Sequence, residues 1–528
     1  MFSLALNRRL FPRGLMKLTC GALGVCSMAL LLAVSVGIDA NKPASGSQAA
    51  PQDEATGKPE KAPTGFNNST NGFEDQEAFD KDREAFEEVE TISDGLGPVY
   101  NATSCVSCHQ NPVSGSSSQV AEVRAGHHKP DPKDPKKVIF VEPPGGSLIH
   151  QRAIDAAIQE HVRPEDEVRT LRISTNTLGN GFVEVIPDEE ILKIRREQPE
   201  GLKGLPVLVP VVVSGKKGAD GEFEFEFVER IGRFGWKCQE ASLINFGAGA
   251  YLNEMGITSP LQPKENTSSG RDVSQFDRVG DPEDEVDPND PDNKEHPFGD
   301  DVKAFARFMR STRAPPRDFS FAGTGDVAAG EKIFRDETTQ AGKKLGCAIC
   351  HHPDYITPKA GTRIRTLRPD GRRPGSDLGT VPKALGNKII HPYSDFMLHD
   401  IGTGDGIAQT QHAQRPPRDV HNLEKVPENI VTREGGVRVE AVPHEGNTRA
   451  LGDQPGLDQR TVNMMRSAPL WGLRVRPQLL HDGSALTLDE AIRRHKVQSQ
   501  AGGVDLPGNY ENLTDEQKKQ LKAFLNSL

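Results

Sequence analysis

The sequence is poor in apolar residues. They occupy 35% of its 528 positions, below the roughly 45–50% usual for a globular chain. Aromatic residues reach only 5%, with two tryptophans and five tyrosines. Positive charge is in deficit: 64 Lys and Arg face 75 Asp and Glu, a net charge of −11. That balance argues against nucleic acid as a partner. Long hydrophobic runs are missing except for one, at about 18–38, which rules out a polytopic membrane protein. With 52 Gly and 39 Pro, much of the chain must be loop. Cysteine numbers only seven, and four of these fall into two copies of one pattern.

The one apolar run follows Arg8, Arg9, Arg13 and Lys17. It reads as an export signal cleaved after Ala40, or as an uncleaved membrane anchor. Both readings place the rest of the chain outside the cytoplasm, in the periplasm or a comparable compartment. Residues 1–40 are thus signal or anchor, and the polar stretch 41–73 reads as a disordered linker. A first domain is expected over 74–313 and a second over 325–528, separated at the Ala-Pro-Pro of 314–316.

Phe79, Phe86 and Val89 can share a helical face. Residues 113–165 show few periodic signals. The apolar run 205–213 and the alternating Phe223, Phe225 and Phe227 read as a strand pair. Residues 281–292 hold seven acids and read as a solvated loop rather than a calcium loop, since EF-hand spacing is missing. A short helix is expected over 302–310. Thr487 with Glu490 and Thr514 with Gln517 form capping boxes that open two further helices.

The repeated pattern is Cys-x-x-Cys-His: Cys105, Cys108 and His109, then Cys347, Cys350 and His351. This is the spacing of covalent haem c attachment. Two thiols on one helical turn can add to the two vinyl groups of one porphyrin, and the next residue reaches the iron. The competing readings are zinc knuckles and disulfides, but zinc needs further paired ligands and Cys238 stands alone. The ligand on the far side of each iron separates electron transfer from catalysis. For the second haem, Met397, His399, His481 and His495 are candidates. Leu488, Ala491, Ile492 and His495 fall at i, i+3, i+4 and i+7, so His495 is placed on an apolar helix face; Met397 is its rival. For the first haem, His127, His128 and His150 are weaker candidates, and an open iron suits peroxide.

Several segments then carry a family resemblance: GPVYNATSCVSCHQ, GRFGWKCQEASL, NEMGITS, GCAICHHP, HPYSDFMLHDIG and APLWGL with LLHDGSALTLDEAIRRH. The chain resembles the di-haem oxidoreductases known as thiol oxidoreductases. These are relatives of bacterial di-haem cytochrome c peroxidases and of the di-haem enzyme that matures methylamine dehydrogenase. The resemblance implies that His495, fourteen residues after His481 of LLHDG, is the axial partner of His351. It implies a relay role for Trp236 between the haems and a general acid/base role for Glu254 in peroxide cleavage. The family's distal Gln position is Phe246 here, and eighteen residues separate Trp236 from Glu254, two fewer than in the peroxidases.

The fold expected is mainly α, two cytochrome-c-like helical domains with a small β insertion in the first. Two covalent haem c groups are expected, and the resemblance adds one calcium ion without assignable ligands. The expected function is a peroxidase-like oxidoreductase, with peroxide at the N-terminal haem and electrons entering through the C-terminal haem. The donor would be a soluble cytochrome or cupredoxin. The alternatives are a non-catalytic electron-transfer cytochrome with both irons six-coordinate, and a haem-bearing sensor or scaffold in a membrane-attached assembly.

Overall fold

In the computed structural model the described residues are 57–219, 221–320, 323–338, 343–367, 374–410 and 457–528. The leader reading and the first part of the linker reading lie outside them. From Glu60 the chain is already paired: Glu60–Lys61 runs parallel to Lys388 and Ile389, and Thr64 bridges Ala314. The linker expectation therefore does not reach residue 73. A two-residue strand carries no periodicity by which composition could reveal it.

The N-terminal core is built on phenylalanine spacing. Gln76–Glu87 is a helix capped by Asp75, whose Oδ1 accepts from Ala78 N–H at 2.9 Å. Phe79 and Phe86 bury one face of it against Phe305 and Phe308 of the helix Asp300–Ser311. Ring centroids lie 5.4 Å apart for Phe79–Phe308 and 4.7 Å for Phe86–Phe308. Arg307 ties the two helices together through Asp82, at 2.9 Å from Nε and 2.7 Å from Nη2. The acidic loop before Asp300 is partly built in. Buried Asp284 accepts from Asp301 and Val302 N–H at 3.0 and 3.2 Å, satisfying the start of that helix. The same core cluster takes in Tyr355, Ile390, Phe396 and Met397 from later in the chain.

The C-terminal core packs the helix Thr324–Phe334 on the helix Asp515–Leu525. Gly330 permits this approach, because a Cβ there would overlap the Gln520 carbonyl oxygen. Val327, Phe334, Leu521 and Phe524 fill the contact.

The expectation of a mainly α fold is overturned. Among the described residues helix accounts for 27% and strand for 23%, spread over several small sheets. The hairpin Leu208–Lys217 with Phe223–Ile231 was expected. A four-stranded sheet was not: Ala121–Asp131 pairs with Asp134–Val141, Leu148–Ile149 and Val168–Ile173. Its central strand reads AEVRAGHHKPD, with apolar residues alternating only at Ala121, Val123 and Ala125 before the pattern is lost. Pairing with its neighbours, not propensity, makes it a strand.

Candidate functional site

The second Cys-x-x-Cys occupies one helical turn, Cys347–Cys350, entered through Gly346 at φ 78°. Cys347, Cys350 and His351 all line one cavity, which they share with Leu488, Ala491, Ile492 and His495. Its walls are mostly apolar. The helix face inferred from spacing is thus the face that lines it. The helix Leu488–Arg494 opens on Thr487, whose Oγ1 accepts from Glu490 N–H at 3.2 Å, and Glu490 Oε2 accepts from Thr487 N–H at 3.2 Å. His495 caps its other end.

His351 Nδ1 lies 3.0 Å from the Tyr393 carbonyl, and His495 Nδ1 lies 2.7 Å from the Ala491 carbonyl. A carbonyl can only accept, so in both rings Nδ1 carries the proton and Nε2 is left with its lone pair. Burial, then the nearby His495, push His351 down to about 4. Burial also lowers His495. Both imidazoles are therefore neutral near neutral pH, the form that ligates a metal. The rival Met397 is fully buried in the N-terminal core, against Gly204. His399 reaches the cavity, but its Nε2 is 2.8 Å from Asp395 and its Nδ1 is 3.4 Å from Cys350 Sγ.

Two guanidiniums complete this wall, the buried Arg466 and the half-buried Arg476. Burial pushes both down to about 10, and Arg466 adds to the effect on Arg476. Arg466 Nε has no hydrogen-bond partner. A buried cation with an unused donor calls for an anion, and the propionates of a haem are anions. Thiols on one turn, two imidazoles with free Nε2, apolar walls and these cations together fit a haem.

The first motif sits on a 3-10 turn, Cys105–Ser107, capped by Ser104. His109 Nδ1 lies 3.0 Å from the Ser116 carbonyl, the same arrangement as in the other two rings. Its ring packs 6.2 Å from Phe86. The other candidate histidines here are engaged. His127 bonds Asp166 at 3.1 Å and His128 bonds Glu167 at 2.9 Å. His150 uses both nitrogens, 2.9 Å to Glu160 and 3.0 Å to the Asn253 carbonyl.

Glu254 lies in a π-helical turn, Tyr251–Met255, that ends at Gly256 with φ 69°. The turn is pinned to the segment just before Cys105. The Glu254 carbonyl accepts from Asn101 and Ala102 N–H at 2.7 and 3.0 Å, and Oε2 accepts from Asn101 Nδ2 at 3.0 Å. Burial, then the charge of Glu122, push the Glu254 carboxyl up to about 8. Both acids act on the Cys108 thiol, which puts them beside the first motif. Phe246 stacks on Phe234 at 6.0 Å and so offers no polar group in place of the family's Gln.

Trp236 stands in the wall of the second cavity and donates Nε1–H to the Ile173 carbonyl at 2.7 Å. Ser117, Ser118 and Thr175 line the same cavity. Ser117 follows the residue that holds His109, and the Thr175 carbonyl also acts on the His109 ring. The two motifs therefore approach each other across this wall. Cys238 is fully buried, bonds the Phe396 carbonyl at 3.3 Å and is pushed up by burial to about 12, an inert thiol.

Asn101, Glu122, Arg124, Arg466 and Arg476 were not singled out from the sequence. Only Asn101 carried a signal, being four residues before Cys105. Among the described residues one group of acids, Glu265, Asp281 and Glu283, brings its ligand atoms within 4.8 Å of one another. Neither cysteine motif belongs to such a group, which counts against the zinc reading.

Comparison with curated proteins gives no match. Among solved structures, hydrazine synthase of Kuenenia stuttgartiensis is 14% identical, with 92% of this chain and 100% of that chain covered and a TM-score of 0.31. A MauG-like protein associated with microbial copper homeostasis is 13% identical, covering 91% of this chain and 95% of that one, with a TM-score of 0.30. Neither likeness is close enough to carry an argument. The family comparison is different in kind. A family described as "Di-haem oxidoreductase, putative peroxidase" matches residues 136–415, a stretch that holds Trp236, Glu254 and the second Cys-x-x-Cys-His. That is more than half of the chain, and the chain belongs to this di-haem oxidoreductase family.

Proposed function

We propose that the chain is an exported di-haem c oxidoreductase of peroxidase type. Cys105 and Cys108 would attach the first haem and Cys347 and Cys350 the second, with His109, His351 and His495 as iron ligands. The carrying observation is the asymmetry of free imidazoles. His351 and His495 face one cavity with Nε2 available. Near the first motif His109 is so arranged, while His127, His128 and His150 are bonded to acids; His481 lies in the shared cavity wall beside Trp236. That supports a closed second haem and a first haem with one open side.

A haem supplies the redox chemistry; the chain's residues bind it and move protons. Arg466 and Arg476 would hold propionates. Glu254, protonated below about 8, would give its proton to a peroxide oxygen. Trp236, between the motifs, would carry electrons from the second haem to the first. The donor in this reading is a soluble cytochrome or cupredoxin, the oxidant peroxide or another small oxidant, and nucleic acid has no part. The compartment is the periplasm or its equivalent, with membrane attachment only through residues 1–40.

Low-temperature EPR of the ferric holoprotein tests this. A high-spin signal beside one low-spin bis-histidine signal is expected. Two low-spin signals in the ferric protein, with the first haem still low-spin once one electron has reduced the second, would replace it with the electron-transfer reading, which the apolar Phe246 would suit.

A further inference from the structure

Asn101 follows the strand Val99–Tyr100, which pairs antiparallel with Arg152–Ala153, so that it comes opposite Gln151. The Asn101 amide is held at both ends. Its Oδ1 accepts from the Gln151 backbone N–H at 2.9 Å. A backbone N–H can only donate, so the amide cannot be turned over, and its NH2 must point the other way. There Nδ2 donates to Glu254 Oε2 at 3.0 Å. The backbone repeats the contact, since the Asn101 N–H donates to the Glu254 carbonyl at 2.7 Å. The residue before Gln151 completes the hold: His150 Nε2 lies 3.0 Å from the Asn253 carbonyl, which can only accept. The charged and titratable groups that face Glu254 are Glu122 and Arg124, from the strand Ala121–Asp131, with Cys108 and, beyond it, Arg152.

We infer that Asn101 is a positioning residue for Glu254: its amide, locked by Gln151, holds Oε2 and leaves the acidic proton on Oε1. In a neutral carboxyl the carbonyl oxygen is the stronger acceptor, so the oxygen that takes the Asn101 N–H is the one without the proton. This rests on the role given to Glu254 above and says which of its atoms acts. In the peroxide step the O–O bond breaks with two electrons from the donor protein, and the proton passes from Oε1 to one of the freed oxygens. Solvent supplies the second proton of the water formed. The negative charge left on Glu254 is shared by Oε2, where the Asn101 N–H already sits. A hydrogen bond to the charged form favours that form, so Asn101 makes Glu254 a readier acid against the burial that opposes its ionisation. Solvent then returns the proton to Oε1.

The test is infrared titration of the holoprotein, followed through the carboxylic-acid band that Glu254→Gln removes. Asn101→Ala takes away a donor to the carboxylate, and the band's titration is expected to move up by about one pH unit. The acid band itself is expected at higher wavenumber, because its carbonyl has lost a donor. A merely structural role predicts the reverse: loosening admits water, relieves the burial and moves the titration down. An unmoved or lowered titration in Asn101→Ala, or a band that stays in place, overturns the inference. Should that variant fail to take up two haems, Asn101→Asp decides. It keeps the shape and the oxygen that Gln151 reaches but sets an anion against Oε2, so an upward shift is expected, and a zero or downward one overturns the inference. If the shifts are as expected while Glu254→Gln reduces peroxide at the wild-type rate, the positioning stands and the peroxidase reading falls.

Discussion

His495 donates its Nδ1 proton to the carbonyl of Ala491, 2.7 Å away and one turn earlier on its own helix. The ring is thereby turned with Nε2 toward the cavity that holds His351. Replacing it with alanine leaves the cysteines untouched. His495→Ala is expected to keep both covalent haems and lose the low-spin bis-histidine EPR signal. Retention of that signal would mean that another residue, His481 or His399, is the ligand.

The helix that carries His495 depends on the reciprocal bonds of Thr487 and Glu490. Thr487→Ala should cost about 1 kcal/mol, read as a lower denaturation midpoint. It should also weaken ligation by His495, because the helix start and the ligand lie only two turns apart.

Attachment divides between the motifs. A Cys105→Ala/Cys108→Ala chain should keep half of the haem stain on a denaturing gel, and Cys347→Ala/Cys350→Ala the other half. A full stain in either would show that the cysteines of that motif do not carry haem.

Glu254 must be protonated to act as an acid, and burial with the Glu122 charge holds its carboxyl up at about 8. Peroxide reduction should therefore be level at neutral pH and fall as the pH rises through that value. Glu254→Gln should lower the rate by about 10²-fold or more with the haem spectra unchanged. Wild-type turnover in that variant would remove Glu254 from the mechanism.

Trp236 touches the second cavity and, through Ile173, the strand that leads to Thr175. Trp236→Phe keeps a ring but loses the N–H and the larger π-system. Flash reduction of the second haem should then be followed by slower reduction of the first. Equal rates would make Trp236 a packing residue.

The sequence was most legible where chemistry and periodicity coincide. The two motifs, both capping boxes and the His495 face could be read from spacing because each lies on a helical turn with its own local signals. The hairpin around residues 214–222 was legible for the same reason, with apolar strands on either side of turn residues. The four-stranded sheet was not. After Ala121, Val123 and Ala125 the strand has His127, Lys129 and Asp131 where alternation would continue with apolar side chains, so its partners, 3 to 52 residues away, define it. With it went Glu122 and Arg124, whose meaning comes from Glu254, more than 100 residues later. Arg466 and Arg476 were hidden likewise, since their burial against the second motif is purely tertiary.

The stretch 173–176 connects parts so far described separately. Ile173 receives the Trp236 indole on its carbonyl and donates its N–H to the His481 carbonyl at 2.8 Å. Two residues on, the Thr175 carbonyl acts on His109, and all four residues border the cavity of His351 and His495. Four consecutive peptides thus act as a common rail for both centres. The backbone that receives the Trp236 indole is therefore continuous with the backbone that meets His109, and both lie in the wall of one cavity.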